Sequence, residues 1–380
     1  MRRSLWKAVM NGVWEASRWL WGDSPTFGPP RDVVSLYQTL RTRDSELNGR
    51  ILLEDQGTPE VDPGSILVTG GYRQHREQPW PIFWSEHQDA RLVSSSLALI
   101  LPEKVLCLES VYGHLRFRDD PVSRRFCRSE VTMLTGNWTS IVSRWVPTEG
   151  RTIGLSMPNF THWLLDALPR LALIAELPED VKIIVPADLH KNQIESLSLL
   201  GLWDRCRPTS EQHLLVEKYY FSSPTSMLQG YNPYGIDFLR REFLPKRDQN
   251  YSGPKRFFLR RLGLSREASN TAQLEKFFEE RGWVLVDPVG LTFGQQVQLF
   301  HEAEAVSGMF GSAFTNAVFC RPGCKVVPIM PTRFGMDGFL DWIAQVVGFK
   351  HCPFVFENDY SFQYSVDLEA LKKWVDEVGA

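Results

Sequence analysis

The strongest constraint on the fold is the alternation of strand-like and helix-like segments in the carboxyl-terminal part of the chain. Short apolar runs predict strands at residues 256–259, 283–286, 305–307 and 325–330. Apolar residues at helical spacing between these runs predict helices that begin near 270, 292 and 311. Such an alternation forms a parallel sheet with right-handed crossovers, and ligands bind such sheets at the carboxyl ends of the strands.

Helix ends in this region carry recognisable capping residues. Asn270 with Gln273, and Thr292 with Gln295, have the spacing of capping boxes. Gly282 follows the first of these helices, at the position where a left-handed residue ends a helix. We therefore expect two well-defined helices between the strands.

The remaining chain is predicted to be β-rich first and α/β afterwards. Strands are expected at 65–69, 104–108, 131–134 and 182–185, and a helix at 188–200. A charged stretch with proline and glycine at 240–255 is the best domain boundary. The predicted organisation is an amphipathic arm and linker at 1–30, a domain at 31–250 and a second domain with a carboxyl-terminal helix at 251–380.

The amino-terminal arm is rich in tryptophan and basic residues. Trp and other apolar residues recur at helical spacing over residues 1–21 with basic residues alongside, a pattern typical of a helix that lies in a membrane interface. A helix packed on its own domain is the alternative. Because no apolar run reaches the roughly 18–20 residues of a membrane-spanning helix, we expect a cytoplasmic protein, with peripheral contact at the inner membrane face left open.

Charge and cysteine content exclude several classes of protein. The 380 residues hold 42 Lys and Arg against 45 Asp and Glu, for a net charge of -3. This balance argues against nucleic acid as a partner bound through bulk positive charge. None of the six cysteines has a His or Cys partner at zinc-finger spacing, so we predict no metal.

The most informative segment is 159–170, the signature segment. Asn159 can cap a helix, after which His162, Asp166 and Arg170 recur at every fourth residue and share one face if helical geometry persists. Pro169 would kink or end that helix. The other residues are mostly apolar, which favours a half-buried His beside a carboxylate, suited to acid–base chemistry or hydroxyl binding. A simple surface ion pair is the alternative.

Two further motifs favour phosphate binding. Arg260 and Arg261 follow a predicted strand, and Arg266 precedes Asn270. Guanidinium groups at that edge of a sheet suit a pyrophosphate. Residues 308–316 form a glycine-bearing strand-to-helix turn, where backbone can approach a phosphate closely.

These residues resemble glycosyltransferase family 61. Residues 159–170 are similar to the family's N-x-x-H-W-L-x-D-x-L-P-R signature. Arg260, Arg266 and Asn270 are similar to its R-x-x-x-x-x-R-x-x-x-N stretch. Residues 282–296 and 308–316 are similar to its G-F…L-S-x-x-E-Q and G-x-H-G-A-x-x-x-N segments, so the resemblance covers roughly 100–335.

The resemblance implies an α/β fold of GT-B type, with two Rossmann-like domains facing across a cleft and a β-rich amino-terminal portion. It implies a hexosyl- or pentosyltransferase that inverts configuration, takes a nucleotide-diphosphate sugar as donor and needs no metal or other cofactor. The acceptor would be a hydroxyl of a glycan or glycolipid. Polysaccharide biosynthesis, of capsule, exopolysaccharide or lipopolysaccharide, is the implied process.

Site roles follow from the same resemblance. Asp166 or His162 would be the general base, the other would orient it, and Arg170 would hold the pair. The residues expected to bind substrate are Asn159, Trp163, Arg260, Arg266, Asn270, Gly311, Ser312 and Asn316.

Two positions depart from the family pattern. Phe310 stands where the family has a His in its G-x-H-G turn, and Pro328 stands where a Glu often follows on the next strand. The alternative function is therefore a catalytically impaired carbohydrate- or nucleotide-binding subunit of a polysaccharide assembly complex.

Overall fold

The computed structural model describes residues 32–34, 36–42, 47–53, 81–93, 97–102, 105–107, 110, 131–142, 159–211, 213–227, 230–261, 268–331, 339–356 and 364–380. The predicted arm at 1–30, the predicted strand at 65–69 and Arg266 lie outside these residues. The chain divides into two units by its internal contacts. Unit 1 comprises Met1–Pro158, Asp166–Leu189 and Arg205–Leu228, and unit 2 comprises Asn159–Leu165, His190–Asp204 and Gln229–Ala380.

Unit 1 is built on a mixed sheet. The sheet's strands are β1 (Asp32–Val34), β2 (Gly49–Leu53), β3 (Ile82–Val93), β4 (Ala98–Leu101), β5 (Val105–Cys107), β6 (Thr132–Ser140), β7 (Lys182–Pro186), β8 (Cys206–Thr209) and β9 (His213–Ser222). The short strand β10 (Ser226–Met227) is not part of this sheet. Helix α1 (Leu36–Thr42) and a 3₁₀ helix (Leu168–Glu176) accompany them. The strand order is β1-β5-β4-β3-β9-β6-β7-β8, with β2 paired to β3.

The sheet of unit 1 changes character at β9. Strand β9 pairs antiparallel with β3 and parallel with β6, and β6, β7 and β8 run parallel to one another. The predicted strands at 131–134 and 182–185 are confirmed here, and Val105–Cys107 lies within the one predicted at 104–108. Phe83 on β3 and Phe221 on β9 are both buried, and their ring centroids lie 6.0 Å apart. Burial of such large rings is the main stabilisation of the sheet.

Unit 2 contains the parallel sheet that the carboxyl-terminal alternation predicted. The short strand β11 (Gly230–Tyr231) is not part of this sheet, whose strands are β12 (Arg256–Leu259), β13 (Val284–Val286), β14 (Ala305–Met309), β15 (Lys325–Pro331), β16 (Lys350–His351) and β17 (Phe354–Phe356). The order is β13-β12-β14-β15-β16, with β17 paired to β15, and the pairings are parallel.

Helices of unit 2 precede, connect and follow these strands along the chain. They are α2 (Phe160–His162), α3 (Lys191–Leu199), α4 (Pro233–Phe243), α5 (Thr271–Glu279), α6 (Phe293–Glu302), α7 (Phe339–Val347) and α8 (Leu368–Val378). Short 3₁₀ turns are Pro288–Gly290 and Ser312–Phe319. A π-helical segment (Trp163–Ala167) and a 3₁₀ turn (Trp203–Arg205) each include residues of both units.

The helix starts confirm one predicted cap and correct another. The Thr292 side chain accepts a hydrogen bond from Gln295 N and the Gln295 side chain accepts one from Thr292 N, so the capping box of α6 is confirmed. Asn270 makes no side-chain cap on α5. Its amide instead bonds both backbone groups of Val366, at 2.8 and 3.0 Å, because that segment offers a donor and an acceptor at the spacing of one amide. The prediction of Asn270 as a side-chain cap was wrong.

The predicted mixed α/β class is confirmed, and the GT-B arrangement and the boundaries at 30 and 250 stay predictions. The helix predicted at 188–200 is shorter, because His190 and Gln193 close the first turn through a 2.7 Å hydrogen bond and α3 begins at Lys191. Among the described residues, no helix is both long enough and apolar enough to cross a membrane.

Candidate functional site

The signature segment is not one regular helix. Asn159 caps its start, as predicted, by accepting a hydrogen bond from Thr161 N at 2.9 Å. Helix α2 then passes into the π-helical segment and, beside Pro169, into the 3₁₀ helix Leu168–Glu176. A spacing of four residues keeps side chains on one face only in an α-helix. The condition under which His162, Asp166 and Arg170 would share a face is therefore not met.

The first half of the signature segment, Asn159–Leu165, is held within unit 2. The Oγ1 atoms of Thr161 and Thr315 lie 2.8 Å apart, which links the segment to the 3₁₀ helix that follows β14. The Trp163 indole is fully buried and donates to Ser196 Oγ at 3.1 Å. These bonds fix the backbone on either side of His162.

The second half, from Asp166 onward, is held within unit 1 by Arg170. Its guanidinium is 6% exposed and donates to Val142 O at 2.9 Å and to Ser222 O at 2.6 Å. Ser222 ends β9, and Val142 lies two residues beyond the end of β6, the neighbour of β9 in the sheet. The guanidinium also lies over the Phe221 ring, and its burial lowers the pKa of Arg170. Arg170 thus anchors the segment to the sheet.

His162 and Asp166 are the side chains of the signature segment that are suited to acid–base chemistry, and they lie between the anchored residues. Both are half-buried, whereas Trp163, Leu164, Leu165 and the residues from Ala167 to Arg170 are buried. An imidazole and a carboxylate with partial exposure on a rigid backbone are suited to proton transfer.

A glycine turn follows β14 at the carboxyl edge of the sheet in unit 2. Gly308 has φ near 149°, and a Cβ there would lie 2.7 Å from Leu259 O on the neighbouring strand. Only glycine fits this close approach of two backbones without strain. Strands β12 and β14 therefore end side by side.

The two adjacent arginines after β12 have different environments. Arg260 forms a two-pronged ion pair with Glu275 on α5, with Nε to Oε1 at 2.9 Å and Nη2 to Oε2 at 3.2 Å, and this hydrogen bond raises its pKa. The Arg261 guanidinium lies against Gly311, where an added methyl group would overlap it. Arg261 is thus the guanidinium at the glycine turn.

Helix amino termini at this edge differ in what faces them. The Glu195 carboxylate accepts hydrogen bonds from Phe293 N at 2.8 Å and Gly294 N at 3.2 Å, so the start of α6 already holds an anion. Ser312 is half-buried and opens the 3₁₀ helix Ser312–Phe319. The turn beside Arg261 is the better place for a further negative charge.

Asn316 lies beneath this turn. It is fully buried, and its Nδ2 donates to Gln296 Oε1 at 2.9 Å and to Ala313 O at 3.3 Å. Asn316 and Gln296 come from two different motifs of the sequence and meet through this bond.

Both departures from the family pattern are buried. The Phe310 ring stacks on Phe314 with centroids 6.5 Å apart and is 6% exposed. Pro328 is opposite Gly308 in the pairing of β14 with β15. An apolar ring replaces a group that could have donated or accepted a proton at this turn.

Within unit 2 the structure brings residues 159–165 of the signature segment to the turn that contains Gly311, Ser312 and Asn316. The sequence analysis named Arg261 beside Arg260 but did not place it among the substrate-binding residues, and it gave no role to Gln296. The alternation of side chains along a strand was the available signal for Arg261, because neighbours at a strand end point to opposite faces. The available signal for Gln296 was the L-S-x-x-E-Q segment, in which a Gln stands at the position of Gln296 and a Glu at that of Gln295. Within the described residues, no group of three or more His, Cys, Asp or Glu side chains could hold a metal ion.

Comparison with known proteins adds one match. The model of the family glycosyltransferase 61 matches residues 160–327, which include the signature segment from Phe160, the strand end at Arg260 and the glycine turn. No curated protein matches the chain. The predicted resemblance is confirmed over these residues. Residues 160–327 are therefore similar to glycosyltransferase family 61, and this similarity suggests a glycosyltransferase.

Proposed function

We propose that the protein transfers a hexosyl or pentosyl group from a nucleotide-diphosphate sugar to a hydroxyl of a glycan or glycolipid, with inversion at the anomeric carbon. The family match indicates a glycosyltransferase. The donor class, the stereochemistry and a place in polysaccharide biosynthesis are the parts that we propose.

One observation carries the proposal: three motifs meet at one edge of the sheet in unit 2. Thr161 of the signature segment contacts Thr315, and Arg261 lies against Gly311 of the same turn. A guanidinium beside a glycine turn at the carboxyl end of a parallel strand is an arrangement that binds diphosphates well. A nucleoside diphosphate is the leaving group that such an edge would stabilise.

The reaction assigns a task to each half-buried polar residue of the signature segment. The acceptor oxygen forms a bond to the anomeric carbon while the bond from that carbon to the diphosphate oxygen breaks. Asp166 or His162 takes the acceptor proton as general base. The leaving diphosphate carries away the bonding electron pair, and Arg261 stabilises its charge.

The test supplies UDP-, GDP-, CDP- and dTDP-sugars with glycan acceptors and follows nucleoside diphosphate release, with product configuration read by NMR. Arg261→Met is expected to reduce turnover about 10²-fold or more, the typical loss when one donor to a developing charge is removed. Arg256→Met is the matched control, because Arg256 begins β12, the strand that precedes Arg261, and its guanidinium lies over the Trp283 ring. Equal turnover in both variants would contradict the diphosphate assignment.

A binding subunit without catalysis is the second candidate, and the buried Phe310 ring favours it because the turn lacks an imidazole there. This function predicts nucleotide-sugar binding with no release of diphosphate in any donor and acceptor combination. Phe310→His would place an imidazole in the turn. Diphosphate release should stay at zero if other residues also prevent catalysis, and it should begin if Phe310 alone prevents it.

A further inference from the structure

A buried pair of amide side chains lies under the carboxyl edge of the sheet in unit 2. Gln296 on α6 is 4% exposed and Asn316 is fully buried. Gln296 is not among the substrate-binding residues proposed above, and its side chain is too deeply buried to touch a substrate directly. Its contacts nevertheless connect two loops that border the proposed donor site.

Gln296 uses both sides of its amide. Its Nε2 donates to Pro288 O at 2.9 Å and to Leu291 O at 3.4 Å, in the loop between β13 and α6. Its Oε1 accepts from Asn316 Nδ2 at 2.9 Å. One side chain therefore joins the loop after β13 to the 3₁₀ helix that follows the glycine turn.

The direction of these bonds is fixed by chemistry. Two backbone carbonyls can only accept, so the nitrogen of the Gln296 amide must face them and its oxygen must face Asn316. The Asn316 Nδ2 also donates to Ala313 O, while its buried Oδ1 has no partner among the described residues. An ionised Glu of the same length could only accept, so it would lose the donor to the two carbonyls.

We propose that Gln296 is a positioning residue that sets the loop 288–291 and the turn 311–316 relative to each other, and so sets the geometry in which the donor diphosphate is held. This inference rests on the proposed function for its second part only. Buried amides held at both ends lose little freedom on ligand binding, which is why such pairs suit the support of a site.

Three variants separate the two ends of the link. Gln296→Met keeps the length of the side chain and removes both its hydrogen-bond donor and its acceptor. Gln296→Glu keeps an acceptor for Asn316 and loses the donor to the carbonyls of Pro288 and Leu291. Asn316→Leu keeps the bond to the loop 288–291 and loses the bond to the turn. Gln298→Met is the matched control, because Gln298 is half-buried on the same helix and its Oε1 has no hydrogen-bond partner within the described part of the chain.

The first readout is amide hydrogen exchange in the full chain, which needs no ligand. Gln296→Met should speed exchange about tenfold or more in both 288–292 and 311–316, and Gln296→Glu mainly in 288–292. Gln298→Met should change neither segment. Unchanged exchange in both segments of Gln296→Met would overturn the proposal, whatever the protein binds.

The second readout is the dissociation constant of UDP, GDP, CDP and dTDP, measured at a temperature where every variant is folded. A tenfold weaker binding to Gln296→Met, with unchanged binding to Gln298→Met, is expected. Faster exchange with unchanged nucleotide affinity would overturn the donor part and leave a structural link. If the wild type binds none of the four nucleotides, the proposed function fails, and the exchange data still decide whether Gln296 positions the loops.

Discussion

The two halves of the signature segment are fixed by different means. Asn159–Leu165 is held in unit 2 by neutral contacts, the Thr161–Thr315 hydroxyl pair and the Trp163 indole bond to Ser196. The part from Asp166 is held in unit 1 by a buried charge, the Arg170 guanidinium on two backbone carbonyls. The signature segment therefore contains two anchors of different kinds. His162 lies between the neutral contacts of Thr161 and Trp163, and Asp166 precedes the buried Arg170 in the sequence.

The anchoring distinguishes residues of the signature segment that hold the fold together from residues suited to acid–base chemistry. Thr161, Trp163 and Arg170 satisfy hydrogen-bonding groups of their own unit, so their loss should act first on stability. His162 and Asp166 are half-buried polar groups on the anchored backbone, so their loss should act first on turnover. The predictions that follow test this division, beginning with the charged anchor.

Loss of the Arg170 guanidinium should have the largest effect on stability. Arg170→Met leaves Val142 O and Ser222 O without their donors in a buried place, and we expect the free energy of unfolding to fall by about 3–5 kcal/mol. Chemical denaturation followed by Trp fluorescence measures this. Arg170→Lys, which keeps the charge but not the fork, should lose less. A fully stable Arg170→Met with no turnover would contradict the anchoring role and support a catalytic one.

Acid should weaken unit 1 through two buried histidines. Burial lowers the pKa of both His87 and His213 to about 4, and the charge of Arg91 adds to the effect at His213. The His213 ring accepts a hydrogen bond from Arg91 Nε at 2.8 Å, so protonation would break it. In the unfolded chain these two histidines bind protons near pH 6.5, whereas in the folded chain they do so only near pH 4.

The stabilisation that depends on these two histidines being neutral is therefore complete above about pH 6.5 and is lost as the pH falls towards 4. Each histidine contributes at most about 3 kcal/mol, because one pKa unit corresponds to about 1.4 kcal/mol. Unfolding free energies measured from pH 7.5 to 4.5 should show a shallower loss in His87→Gln, compared with the wild type at each pH. An identical slope in both proteins would refute this assignment.

The neutral anchor in unit 2 should have the smallest effect. Removing one hydroxyl from the Thr161–Thr315 pair with Thr161→Val or Thr315→Val is expected to cost about 1 kcal/mol each, and the double variant should cost less than the sum. A double-mutant cycle on the free energy of unfolding measures the coupling. Strict additivity would mean that the hydroxyls do not interact.

The parallel sheet of unit 2 was predictable because its signals are local. Apolar runs of strand length, the Thr292–Gln295 box and Gly282 each depend on a few consecutive residues, and each was confirmed. The Asn270 cap failed because Val366, distant in sequence, offers the amide two backbone partners. Tertiary competition of this kind leaves no trace in a short window of sequence.

The signature segment shows the same limit at the site. Its residue types were recognised, but the α, π and 3₁₀ geometry that breaks the four-residue stripe depends on Pro169 and on the two separate anchors. Likewise, Glu275 on α5 pairs with Arg260, so Arg261 and not Arg260 lies at the glycine turn. The sequence predicted a guanidinium at this edge of the sheet. Packing determines that it belongs to Arg261 and not to Arg260.

The most direct test of the central claim compares turnover with stability in Asp166→Asn and His162→Ala. With the nucleotide-sugar that supports the fastest diphosphate release, we expect Asp166→Asn or His162→Ala to lose about 10²–10⁴-fold in turnover, the range for removal of a general base, while its free energy of unfolding stays within about 1 kcal/mol of the wild type. Normal turnover in both variants would contradict the claim that these two residues carry the chemistry of the signature segment.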